Sequence, residues 1–314
     1  MNTYISTTLV AVLLSLSLAA RDYTKEVIDL WPANNIPYNK VNHSFAETAD
    51  STGRRISQIS VPKLYVYRKT APSDIGAAIM YIPGGGYSVV SLSDEGEAYA
   101  KQFLKMGFDV VAVLKYRLPD ERIVTEEHKV PLCDAQKALS TIHKNASTWN
   151  ISRDKIAVMG GSAGGHLAAS LANLTKPIVA PGVTKDELEQ AVSILLYPVI
   201  SFNLPHRHKG SFRYLLGENS KNTAMLDYYS MEKRVNKNTP PTYLVHAIDD
   251  LSVPYQNSDI YAESLDQKGI SHKCVHLDKG GHGFGLNFER TGLDWTSDLE
   301  QWLNTTTTIF STNQ

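Results

Sequence analysis

The feature that most restricts the fold is an alternation of strand and helix patterns from about residue 77 almost to the C-terminus. Residues 77–82 form a continuous apolar run of strand length, and 95–106 are amphipathic at the helical period. The pattern repeats with a strand at 108–114, a helix opened by proline at 131–147, a strand at 156–159 and a helix at 163–174. Further strands are predicted at 191–200, 242–248 and 273–277, with helices at 257–267 and 291–303. Apolar strands separated by helices predict a mostly parallel central sheet covered on both faces. Residues 56–67 alternate apolar and polar, as half-buried antiparallel strands do. The stretch 201–241 is long, polar and weakly periodic, which predicts a lid or binding element holding short helices over a site. No second boundary is visible, so 21–314 read as one unit with a small lid at 201–241.

The chain has 314 residues, 42% hydrophobic and 20% charged, enough to build a large core. A formal net charge of -1 and the absence of any basic run argue against nucleic acid as a partner. Residues 9–20, LVAVLLSLSLAA, are apolar and end in small residues, with Ser17 and Ala19 in the small-x-small arrangement of a cleavage site. A signal peptide at 1–20 is predicted, and with it a secreted or periplasmic protein that keeps no membrane attachment after cleavage. Cys133 and Cys274 are too few for a disulfide framework and are expected as buried free thiols. Asn42, Asn145, Asn150, Asn173 and Asn304 open N-x-Ser/Thr triplets, which matter only in a host that glycosylates.

Four loops carry the chemistry. Gly160-Gly161-Ser162-Ala163-Gly164-Gly165 contains G-x-S-x-G between a predicted strand and a predicted helix, the setting of a nucleophile elbow. Small flanking residues permit the sharp turn, which lifts the Ser162 hydroxyl above the sheet. The Ala163 N–H, at a helix N-terminus, then points toward developing negative charge. The bland alternative is a glycine-rich turn that binds phosphate. Pro83-Gly84-Gly85-Gly86-Tyr87 follows another strand, and the N–H groups of Gly85 and Gly86 are expected to complete an oxyanion hole with Ala163. Which glycine donates stays open. Asp249 and Asp250 end the strand at 242–248, where an acid can fix a histidine tautomer. The D-x-x-V-P spacing favours Asp250 and leaves Asp249 as a turn residue or supporting acceptor. Gly280-Gly281-His282-Gly283-Phe284 supplies the base, and the order Ser, Asp, His completes the pattern. His166 is expected to face solvent or pack beneath the site, and His246 to be a satisfied core histidine. His206 and His208 are candidates to touch substrate. No H-E-x-x-H and no paired Cys-x-x-Cys occur, so neither a metal nor a cofactor is expected.

These motifs together resemble a known family. P-G-G-G-Y at 83–87, Y-R-L-P at 116–119, G-x-S-A-G-G-H-L-A at 160–168, L-Y-P-V-I at 196–200, D-D-x-x-V-P at 249–254 and G-G-H-G-F at 280–284 resemble the acetyl xylan esterases of the α/β-hydrolase fold, including bacterial feruloyl-esterase-like members. The resemblance runs from about residue 75 to 302. It implies an α/β-hydrolase fold, a Ser162–His282–Asp250 triad and an oxyanion hole of backbone N–H groups at Gly85, Gly86 and Ala163. It also implies removal of O-acetyl groups from hemicellulose-type polysaccharide or oligosaccharide without a cofactor. Hormone-sensitive-lipase-like esterases are also similar, but their H-G-G-G has Pro83 here and their G-D-S-A-G has Gly161. The competing readings are a general short-chain carboxylesterase, a serine peptidase of the prolyl-oligopeptidase type and an inactive hydrolase serving as a binding module. The peptidases usually carry a large extra domain, for which there is no room. The presence of all three triad residue types argues against the inactive reading.

Overall fold

The computed structural model describes residues 22–41, 45–203 and 205–311. The predicted signal peptide and the Asn42 triplet lie outside these residues. Among them the main sheet has β1 (Tyr23–Asp29), β2 (Lys63–Lys69), β3 (Gly76–Ile82), β4 (Val110–Lys115), β5 (Ile151–Gly161), β6 (Val192–Leu196), β7 (Thr242–Ala247) and β8 (His272–Leu277). Their spatial order is β1-β2-β4-β3-β5-β6-β7-β8. The pairings β1–β2 and β2–β4 are antiparallel, and the rest are parallel. This is the α/β architecture the alternation predicts.

Helices cover both faces: α1 (Leu92–Met106), α2 (Val130–Lys144), α3 (Ala163–Asn173), α4 (Ser211–Leu216), α5 (Thr223–Tyr228), α6 (Gln256–Gln267), α7 (Phe288–Thr291) and α8 (Trp295–Thr306). Every residue of β3 is buried. Its side chains alternate between two cores, because strand periodicity is two. Ala78, Met80 and Ile82 pack in the layer that holds α2, α3 and α6, while Ile79 and Tyr81 pack with α1 and α8. Full burial of each large side chain contributes on the order of 1.5–3 kcal/mol, which offsets the entropy of ordering the chain. No helix of the described residues is long and apolar enough to cross a membrane.

Several boundaries differ from the sequence expectation for identifiable reasons. The strand predicted to reach residue 200 stops at Leu196, because Tyr197 turns to φ +35° and Pro198 has no N–H to donate. The helix predicted at 291–303 is two. Gly292, at φ +69°, ends α7, and Asp294 opens α8 by accepting the N–H groups of Thr296 and Ser297. The alternating stretch 56–67 divides at Gln58, at φ +54°: Arg55–Ser57 joins a small sheet with Thr48–Ala49 and Val90–Ser91, and β2 begins at Lys63. Cys133 is buried as expected, but Cys274 is only partly buried, since β8 is an edge strand. Asn173 is buried, with its amide donating to Tyr261 Oη at 2.7 Å, so this triplet is inaccessible in the folded chain.

The Y-R-L-P segment has a structural task. Arg117 and Asp134, both fully buried, meet through Nε–Oδ2 at 2.9 Å and Nη2–Oδ1 at 2.6 Å. Burial opposes the guanidinium charge, but the Asp134 carboxylate more than compensates and holds Arg117 above its usual range. The remaining donors reach the N-terminal arm: Arg117 Nη1 donates to Pro37 O and to Asn39 Oδ1, and Trp31 Nε1 donates to Asp134 Oδ1.

Candidate active site

The site lies beyond the C-terminal ends of β3, β5, β7 and β8, where parallel sheets assemble ligand sites. Ser162 stands between β5 and α3 at φ +56°, ψ -121°, a backbone region that non-glycine residues rarely occupy. Neighbouring contacts hold it there. Its N–H donates to Leu196 O at 3.0 Å, and its carbonyl accepts from His166 and Val199, each at 3.1 Å. The turn also requires close backbone approach: a Cβ at Gly164 would collide with the carbonyl oxygens of Ile82 and Pro83. Local glycine content therefore follows from geometry as well as from chemistry.

His282 sits in the loop after β8. Ser162 Oγ lies 2.8 Å from His282 Nε2, and His282 Nδ1 lies 2.7 Å from Asp250 Oδ2. The carboxylate can only accept, so Nδ1 carries the proton and Nε2 is left to accept the Ser162 hydroxyl. The Tyr197 ring meets the imidazole edge to face at 5.1 Å and fixes its plane. A hydroxyl, an imidazole and a carboxylate in this chain can deprotonate the hydroxyl as it attacks an electrophile.

Asp250 is the most heavily hydrogen-bonded member. Oδ1 accepts the N–H groups of Ser252 at 2.8 Å and Val253 at 2.9 Å. Oδ2 accepts from His282 and, at 3.2 Å, from His246 Nε2. Burial disfavours the charge, but the bonds from His246 and His282, together with the Val253 N–H, hold the carboxyl well below its usual range. Asp249 points elsewhere and accepts the N–H groups of Gly281 at 2.7 Å and Gly280 at 3.3 Å. It thus braces the loop that carries His282.

His246 was read from the sequence only as a satisfied core histidine. It is buried on β7, but its Nε2 faces two acceptors, Asp250 Oδ2 and Val253 O, the latter at 3.0 Å. Nε2 is therefore protonated, and Nδ1 accepts the Ser258 hydroxyl at 2.8 Å. The available signal was its position four residues before the acid, at the end of the same strand. His166 is buried beneath the site rather than solvent-facing. Its Nε2–H donates to Tyr229 O, and its Nδ1 accepts from Tyr87 Oη, both at 2.8 Å.

The glycines after β3 line the same cleft as Ser162. Gly85 and Gly86 have φ +132° and +66°, and a side chain at Gly85 would strike Val89. Among the described residues no acceptor engages the N–H groups of Gly85, Gly86 or Ala163. Gly85 and Gly86 border a cleft of about 1340 Å³ lined also by Ser162, His282, Tyr99, Phe284, Arg54 and Arg55. His208, from the 201–241 stretch, lines the cleft as well. Its Nδ1 accepts the Ser211 N–H at 3.2 Å, which leaves Nε2 protonated. Burial, then the nearby His282, pull the His208 pKa below its usual range, so it stays a neutral donor. His206 does not line the cleft; its carbonyl accepts from Asn257 Nδ2 at 2.8 Å.

Comparison with known proteins agrees with this architecture. Residues 64–265 match the BD-FAE family. The chain is 35% identical over 239 residues to endo-1,4-beta-xylanase B of Butyrivibrio fibrisolvens, covering 75% of this chain and 36% of that protein. It is 30% identical over 262 residues to an acetylxylan esterase of Xylanibacter ruminicola, covering 82% of this chain and 51% of the relative. The chain thus spans about a third and about half of the lengths of these two relatives. Among solved structures, an acetyl ester-xyloside bifunctional hydrolase from Caldicellulosiruptor lactoaceticus superposes with a TM-score of 0.73 at 30% identity, covering 89% of this chain and 96% of that one. With the family match extending over most of the sheet and reaching into α6, the chain belongs to the BD-FAE family of α/β-hydrolases.

Proposed function

We propose that this protein is a serine carboxylic-ester hydrolase that removes O-acetyl groups from hemicellulose-type polysaccharide or its oligosaccharides. The observation that carries the reading is the unbroken chain from Ser162 Oγ through His282 to Asp250, at 2.8 and 2.7 Å, on the floor of an open cleft. Ser162 attacks the ester carbonyl while His282 Nε2 takes its proton. The N–H groups of Ala163 and of Gly85 or Gly86 receive the developing oxyanion, the interaction that commonly contributes most to such catalysis. The tetrahedral carbon collapses, the sugar hydroxyl leaves with the proton from His282, and an acetyl-serine remains. Water, deprotonated by His282, attacks the acyl group and releases acetate, restoring the Ser162 hydroxyl.

From the stretch 201–241, His208 lines the cleft, and its Nε2–H serves there as a donor to substrate. The apolar run at 9–20 supports action outside the cytoplasm, secreted or periplasmic. The names of the xylan-active relatives support the carbohydrate half of the reading. Activity on p-nitrophenyl esters of rising chain length, acetylated xylan and a peptide tests the proposal, with Ser162→Ala as control. The expected result is a kcat/KM maximum at acetyl, acetate release from xylan, no peptide cleavage and a loss of several decades in the variant. A maximum at eight carbons or longer would transfer the enzyme to lipophilic esters. A Ser162→Ala enzyme with a tenth of wild-type turnover would remove Ser162 from the mechanism.

A further inference from the structure

A second groove, of about 630 Å³, adjoins the Ser162 cleft and shares Ser88 with it. The Gly85–Ser88 loop separates the two: its glycines border the cleft, while Tyr87 and Ser88 border the groove. The opposite wall comes from α4 and the turn after it, the same excursion that sends His208 into the cleft. Tyr214, on α4, lines the groove and is 53% exposed. Among the described residues its ring has no aromatic or cationic neighbour, and its hydroxyl has no hydrogen-bond partner.

The charge in the groove limits what can occupy it. Arg122 is held by Asp120 through bonds of 2.8 and 2.6 Å, so that guanidinium is already paired. The other charged residues that line the groove are Glu121, Glu127 and Glu218 against Arg213. The groove is therefore net acidic and repels polyanions, including uronate-rich chains and phosphates. Carboxylates accept hydrogen bonds from hydroxyls, and Gln58 and Asn219 add neutral amides. An exposed aromatic ring set among such groups presents a flat apolar face with polar groups around it. A neutral sugar ring has the matching surface: a C–H face and a girdle of hydroxyls.

We infer that this groove is a subsite for the backbone of a neutral, hemicellulose-type glycan, with Tyr214 stacking on a sugar unit next to the acetylated one. The subsite rests on the esterase reading above. The Ser162 cleft takes the ester, and the chain continues past Ser88 along α4. Tyr214 is a specificity residue for long substrates and takes no part in bond cleavage.

Two measurements test it separately from the ester chemistry. The first is calorimetric binding of unacetylated xylohexaose to wild type, Tyr214→Ala and Tyr214→Phe. Wild type is expected to bind, Tyr214→Ala about tenfold more weakly, and Tyr214→Phe within about twofold of wild type, since it keeps the ring. Absence of binding by wild type, or equal affinity of all three, overturns the subsite. The second is kcat/KM on p-nitrophenyl acetate and on acetylated xylo-oligosaccharides. Tyr214→Ala is expected to leave the small ester within about twofold and to raise KM for the oligosaccharides about tenfold. Equal losses on both substrates would make Tyr214 structural and overturn the proposal. Tyr214-dependent xylohexaose binding by a protein that cleaves no ester would leave the subsite standing and remove the esterase reading instead. Cleavage of p-nitrophenyl acetate without xylohexaose binding would do the reverse.

Discussion

At Asp250 the two carboxylate oxygens have different tasks. Oδ1 is tied to its own loop by the Ser252 and Val253 N–H groups, and Oδ2 is shared by His282 and His246. Asparagine at 250 would offer an NH2 to at least one histidine nitrogen that is already protonated, and would favour the wrong His282 tautomer. Asp250→Asn is therefore expected to reduce kcat by about four decades, the scale known for such a change in a serine protease. Asp249→Asn keeps an oxygen for the shorter bond from the Gly281 N–H, loses only the 3.3 Å bond from Gly280, and is expected to cost about tenfold or less. Steady-state kinetics on both variants decide the matter, and a larger loss at Asp249 would reassign the acid. The spacing in D-D-x-x-V-P ranks Asp250 above Asp249, and the two variants test that ranking. The part played by His246 was not legible, because a histidine on an apolar strand looks the same whether its partner is a serine, a carbonyl or a carboxylate.

Helix α3 shows how elements are fastened around the site. His166, one turn after Ser162, joins α3 to the loop after β3 through Tyr87 and to the end of α5 in the 201–241 excursion through Tyr229. Burial lowers its pKa to about 4, partly opposed by the bond to Tyr229 O, against 6.5 for a free histidine. Between these values the unfolded chain holds a proton that the folded chain excludes. The contribution to stability is thus full above pH 6.5 and declines as pH falls toward 4, by about 3 kcal/mol across that window. Urea midpoints of wild type should fall through this range more steeply than those of His166→Gln, whatever the absolute stability of the variant. Parallel curves would mean that another group sets the acid limb. At this scale the sequence located the sheet and helix pattern well, since β3 to β8 and α1 to α3 follow from apolar period alone. Ends were displaced where backbone angles decide, as at Tyr197 and Gly292. Strand β1 went unseen because it is an edge strand whose exposed, charged residues carry almost no apolar signal.

For the whole molecule, the family match begins at residue 64, yet the buried Arg117–Asp134 pair depends on Trp31, Pro37 and Asn39. Arg117 and Asp134 lie 17 positions apart, and the arm lies about 80 positions from Arg117. Closing the shorter loop of the ion pair costs less entropy than docking the arm. Until it docks, a charged guanidinium has donors with no protein acceptor in the interior, and each such group costs about 1–3 kcal/mol when buried dry. A chain cut to begin at residue 64 is expected to melt at least about 10 °C below one that begins at residue 22. The double variant Trp31→Phe, Asn39→Ala, which keeps the arm but removes its two side-chain hydrogen bonds to the buried pair, should lose about 2–4 kcal/mol in urea unfolding. If the shortened chain melts at the same temperature, the arm is ornamental. If it does not, the place where likeness to relatives starts is not the place where the molecule becomes self-sufficient. Trimming this protein to its recognisable region would discard the counterparts of a charge sealed inside it.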